Sequence, residues 1–81
     1  MKNNMHPGEF LKDAYLVPQD INASDFAREI GVSSASISRL INGKSDMSVA
    51  MAIKLQKATG RSARSWLNLQ LEYDLEKHGG A

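Results

Sequence analysis

Cysteine is absent from the 81 residues, which excludes disulfides and thiolate metal sites. The two histidines, His6 and His78, stand near opposite ends of the chain with no carboxylate at a recognised ligand spacing, so no metal centre is expected. The chain also lacks a serine, histidine and carboxylate set, a phosphate loop and a metal cluster. Catalysis needs such groups converging in a pocket, and neither an enzyme nor a cofactor is expected. Long apolar runs are missing too: the longest, 49–53, has five residues, against about 18 for a bilayer crossing. The start, 1–5, is polar and without the apolar stretch of a signal peptide, so the expected location is the cytoplasm. Period-two alternation long enough for a strand does not occur, which leaves an all-α fold.

What is present suits one small globular domain spanning 1–81, since 42% of the residues are hydrophobic. A domain of this size buries only about 60 to 65% of its unfolded surface and commonly gains stability from a partner. The net charge is only +1, but it is unevenly distributed. Between Arg28 and Arg64 seven basic residues face two acidic ones, a net +5, while the rest of the chain sums to −4. A basic middle between acidic ends suits a protein that meets nucleic acid with one surface and something else with another.

Helix punctuation divides the chain into five segments. Phe10, Leu11, Ala14 and Tyr15 at helical spacing predict a first helix over about 8–16, closed by Pro18. Asn22 is a good N-cap for a second over 23–30, with Asp25 near its positive end and Gly31 as its left-handed stop. Ser33 caps a third over 34–41, ended by Asn42 and Gly43, and Ser48 a fourth over 49–59, with Ala52, Ile53 and Leu55 facing inward and Gly60 as its stop. A fifth begins at Ser62 or Ala63 and reaches about Glu76, before a Gly79-Gly80 tail expected to fray.

Two short helices separated by a glycine-containing turn, the second opening on small polar residues, form a helix-turn-helix pattern over about 22–44. The first helix must hold the second so that its N-terminal turn can enter the major groove. Phe26, Ala27, Ile30, Val32, Ile37 and Leu40 are spaced to anchor the pair. Ser34, Ala35, Ser38 and Arg39 then lie away from the core and are the candidates for base readout. Arg39 leads them, because a guanidinium can donate two hydrogen bonds to guanine O6 and N7. Ser33, Ser36, Asn42, Gly43 and Lys44 suit phosphate contacts, which position a protein without reading sequence. Taken singly, each residue has a plainer reading: Ser33 as a cap, Arg39 as a solvated cation, Asn42 and Gly43 as a turn. The combination of caps, glycine, core spacing and basic bias favours the DNA-binding reading.

The stretch "FAREIGVSSASISRLINGK" resembles the Xre/lambda-repressor-like class of helix-turn-helix proteins. "HPGEFLKD" at 6–13, "MAIKL" at 51–55 and "WLNLQLEYDL" at 66–75 extend the resemblance over nearly the whole chain, to the HigA-type (VapI-like) antitoxins of bacterial type II toxin-antitoxin modules. That resemblance implies a five-helix core, a homodimer, double-stranded operator DNA as ligand, repression of the protein's own operon, and a HigB/RelE-like messenger-RNA-cleaving toxin as partner. Two departures stand out: Ile41 occupies a position before "NGK" where some repressors of the wider class carry an acid, and 17–21 lacks a glycine often found in the antitoxins. The Ser- and Ala-rich reading face means that no operator sequence carries over from relatives.

Trp66, Leu67, Leu69, Leu71, Tyr73 and Leu75 give the last helix apolar residues on more than one face, which calls for a partner. Spacing assigns Trp66, Leu67 and Gln70 to the monomer core and leaves Leu69 and Tyr73 for a two-fold dimer contact. A stand-alone phage-type repressor without a toxin is the alternative function. An interaction module that has kept the fold and lost operator binding is a third.

Overall fold

The computed structural model describes residues 5–79, so Gly80 of the expected tail and most of the polar start lie outside the described residues. The described residues form helices and turns without a strand. The first helix, α1 (Pro7–Leu11), passes directly into a π-helical turn, Lys12–Leu16, in which the Val17 N–H reaches the Lys12 carbonyl at 2.9 Å. The expected first helix is therefore one continuous helix with two hydrogen-bonding registers. It is followed by α2 (Ala23–Ile30), α3 (Ser34–Ile41), α4 (Val49–Thr59) and α5 (Ala63–Lys77).

Local chemistry accounts for the boundaries. Asn22, Ser33, Ser48 and Ser62 each accept a hydrogen bond from the backbone N–H three residues on, at 2.8 to 3.1 Å. Each thereby satisfies one of the donors that a helix start leaves unpaired. Gly31 ends α2 in the left-handed region at φ 79°, where a side chain would be strained, and its N–H returns to the Ala27 and Arg28 carbonyls.

The core is built from all five helices: Leu11 and Leu16 of the first, Phe26 and Ala27 of α2, Ile37 and Leu40 of α3, Ala52 and Leu55 of α4, and Trp66 of α5. Met47, in the segment before α4, joins it. Ile53 does not: it is 48% exposed, and α4 turns Ala52 and Leu55 inward instead. Five consecutive apolar residues leave the helical period no preferred face. The choice falls to tertiary packing.

Two polar devices fix the frame around the helix-turn-helix. Gly8 lies so close to α3 that an added Cβ would overlap the Leu40 carbonyl oxygen and crowd the Cα of Ile41. Only a glycine lets α1 seat its backbone on the end of α3. The buried Gln70 amide accepts the Met47 N–H at 2.7 Å and donates to Asp74 at 3.0 Å, tying the segment before α4 to α5.

Candidate nucleic-acid interface

Helix α3 is amphipathic in the sense a DNA reader needs. Ile37 and Leu40 are almost wholly buried, at 0% and 1% exposure, and fix the helix from behind. Ser34, Ala35, Ser38 and Arg39 are all exposed along its other side. The four candidates for base readout thus share the outward surface of the first two turns, beside the open amides of a capped helix N-terminus. Among the described residues, neither Arg39 nor Lys44 is held in an ion pair, whereas Arg28 is paired with Asp25 at 3.3 Å on the outside of α2.

The phosphate candidates differ in what their atoms have left to offer. Ser33 Oγ accepts the Ser36 N–H at 3.1 Å and lies 2.8 Å from Ser36 Oγ. That pair uses one of the two hydroxyl protons and leaves the other available to an anion. Asn42 donates from Nδ2 to the Ser38 carbonyl at 2.8 Å, closing the end of α3. Gly43 has its N–H committed to the Leu40 carbonyl at 3.0 Å, so it supplies a left-handed turn at φ 73° and no phosphate donor of its own. Lys44 follows, exposed, with its backbone N–H on the Arg39 carbonyl at 2.8 Å. The turn therefore sets Lys44 immediately beyond the recognition helix.

The basic middle of the sequence is divided in space. Arg39 and Lys44 belong to the helix-turn-helix, while Lys54 and Lys57 line a shallow groove with Glu29, Ile30 and Ala58 between α2 and α4. Arg61 is half-buried, its guanidinium carbon 4.6 Å from the Phe10 ring centroid and 5.6 Å from that of Trp66. It serves the aromatic cluster of Phe10, Tyr15 and Trp66.

The two residues expected at a dimer contact are both half-buried. Leu69 packs against the core, and Tyr73 meets the His6 ring edge-on at 5.0 Å. The exposed apolar residues of α5 are Leu71 and Leu75 instead, at 53% and 40%. Helical periodicity alone could not separate these sets, because α5 carries apolar residues almost all round.

His6 orders the start of the first helix through Nδ1, which accepts the Gly8 N–H at 2.9 Å. Its ring is buried beside Gly43 and lines a groove with Glu9, Lys12, Asp13, Ile41, Asn42 and Tyr73. Burial lowers its pKa below the ordinary 6.5, against the opposing pull of the Ser45 backbone and the Asp46, Asp74 and Glu9 carboxylates. Sequence carried no signal for this contact with the loop after α3, some forty positions away.

A capped, glycine-punctuated helix pair presenting one polar face defines a helix-turn-helix protein, and a helix-turn-helix family profile matches residues 11–66. Virulence-associated protein A′ of Dichelobacter nodosus is 42% identical over 80 residues, covering 98% of this chain and 69% of that protein. The HTH-type transcriptional regulator YddM of Escherichia coli (strain K12) is 35% identical, covering 93% of this chain and 79% of that protein. The structure of Pseudomonas aeruginosa antitoxin HigA with the higBA promoter superposes with a TM-score of 0.88 at 36% identity, over 94% of this chain and 83% of that one. The chain belongs to the helix-turn-helix family and, within it, to the HigA-type antitoxins.

Proposed function

We propose that this chain represses its own operon by binding operator DNA through α3, and that it neutralises a HigB/RelE-like ribonuclease toxin by direct contact. The observation that carries the DNA half is the exposed Arg39, in no ion pair among the described residues, on a helix locked from behind by Ile37 and Leu40, with Lys44 just beyond it. Similarity to the Pseudomonas aeruginosa antitoxin HigA in its structure with the higBA promoter supports the same half. The toxin half rests on membership of the HigA-type group.

Ser34, Ala35, Ser38 and Arg39 read bases, and Lys44 with the Ser33 and Ser36 hydroxyls holds phosphates. Replacing Arg39 with Ala should cost about 1 to 3 kcal/mol on the cognate upstream sequence and relax preference at one base pair, measured by fluorescence anisotropy on duplexes varied one position at a time. Equal loss on random DNA would exclude base readout. Lys44→Ala should weaken all duplexes alike and reduce the slope of log K against log salt by about one unit. An unchanged slope removes Lys44 from the phosphate contacts.

One recognition helix covers only a few base pairs, so a two-fold dimer reading an inverted repeat is part of the proposal. Its contact is assigned to α5, where Leu71 and Leu75 are one turn apart and exposed, flanked by half-buried Leu69 and Tyr73. The antitoxin half is tested by co-expression with the small reading frame adjacent to the gene. Neither a complex nor relief of growth arrest would leave a stand-alone repressor.

A further inference from the structure

We infer that His6 is a positioning residue for the loop that follows the recognition helix, and that it holds this loop only while its imidazole is neutral. The inference rests on the DNA-binding reading, because that loop carries Asn42 and Lys44. Three elements meet on the ring. Nδ1 caps α1 by accepting the Gly8 N–H, one face side meets Tyr73 of α5 at 5.0 Å and an interplanar angle of 83°, and Cγ lies 4.0 Å from where a Gly43 Cβ would stand. The buried Nε2 has no hydrogen-bond partner among the described residues, and the Ser45 backbone favours the charged ring.

This arrangement fixes the tautomer. An Nδ1 that accepts a hydrogen bond carries no proton, so the neutral ring must hold its proton on Nε2. A second proton can then arrive only at Nδ1. There it replaces an acceptor by a donor pointed at the Gly8 N–H, and puts a cation at the positive end of α1. Acid therefore removes the cap and pushes the ring away from α1. Gly8 is seated on the Leu40 carbonyl, so the disturbance reaches the end of α3 and the turn at Gly43 directly.

The groups facing the ring are named by element: Glu9, Lys12 and Asp13 on the first helix, Asp46 in the loop, and Tyr73 and Asp74 on α5. Lys77 lies 6.0 Å from the Tyr73 ring centroid. The carboxylates favour the charged imidazole and burial opposes it, the latter prevailing. None of these groups replaces the lost cap, because each acts on charge and not on the geometry at Nδ1.

The test compares the full-length chain with His6→Asn, whose Oδ1 can take the place of Nδ1 as an acceptor without titrating. DNA affinity on the upstream duplex is measured from about pH 7.5 to about pH 5 at constant ionic strength, and His6 is followed by NMR. The expected result is an Nε2–H tautomer, a pKa below 6.5, Gly43 and Lys44 amide shifts that move with the His6 titration, and an affinity loss in the native chain about tenfold larger than in His6→Asn. An Nδ1–H tautomer, a loop whose amides ignore the titration, or matching pH profiles in the two proteins would overturn the inference. If neither protein binds any duplex at neutral pH, the DNA-binding reading fails by itself. The tautomer and the loop shifts still decide whether His6 positions the loop, and they do so in the native chain even if His6→Asn fails to fold.

Discussion

The imidazole of His6 links stability to pH in a direction that can be worked out from its burial. Its folded pKa lies below 6.5, so at pH values between the two the unfolded chain binds the proton and the folded chain does not. Stability then rises with pH across that window. The contribution is complete above 6.5 and is lost as pH falls through the folded value. Urea midpoints measured from neutral to mildly acidic pH should decline in the native chain and decline less in His6→Asn. Parallel declines would mean that other groups set the dependence. The same residue shows why the "HPGE" start is written as it is: histidine caps, proline occupies the first helical position, and glycine permits contact with α3. The sequence marked a helix start here but carried no signal for the cap at His6 or the need for glycine at position 8. Nor did it show that His6 and Gly8 serve the far end of α3, because nothing local records which backbone α1 will meet.

Helices were legible where their signals lie within three or four residues. The caps at Asn22, Ser33 and Ser48 and the stops at Gly31 and Gly60 fall where the sequence puts them, since a side-chain oxygen reaching the third amide on is a local geometry. The same locality gives a prediction. Ser48→Ala removes the acceptor of the Met51 N–H and should destabilise the chain by about 0.5 to 2 kcal/mol in chemical denaturation. Base preference should stay unchanged, because Ser48 lies outside the reading face of α3; altered preference would implicate the α4 start in recognition. Helix faces were less legible than helix ends. Ile53 was expected inside and is exposed, and Leu69 and Tyr73 are tucked against the monomer, because both α4 and α5 carry apolar residues on several sides. The face that turns inward depends on packing between segments distant in sequence, as where the Gln70 amide of α5 accepts the Met47 N–H. The π-helical register of Lys12–Leu16 likewise has no counterpart in the residue pattern. On α3 the face was clearer, since its buried residues, Ile37 and Leu40, stand among three serines, one alanine and one arginine, with Ile41 half-buried at the end.

At the scale of the whole molecule, the large exposed apolar side chains of the described residues lie away from the recognition helix: Val17 at the end of the first helix, Val49 and Ile53 on α4, Leu71 and Leu75 on α5. A dimer through α5 would bury Leu71 and Leu75 while leaving α3 open, and this separation is what reading an inverted repeat demands. Two recognition helices must reach half-sites about 34 to 36 Å apart, or a multiple of it, so the contact that spaces them cannot involve the helices themselves. Placing a carboxylate on this face, as Leu75→Glu, should leave the monomer fold intact, since Leu75 is 40% exposed and lies outside the buried core. Light scattering should then report monomer where the native chain reports dimer. Affinity for an inverted repeat should fall far more than affinity for a single half-site, because pairing the two sites makes the second binding event intramolecular. A Leu75→Glu chain that remains dimeric would move the contact elsewhere on the molecule, and a monomer that still binds the full repeat as tightly as the native chain would mean that the two recognition helices act independently.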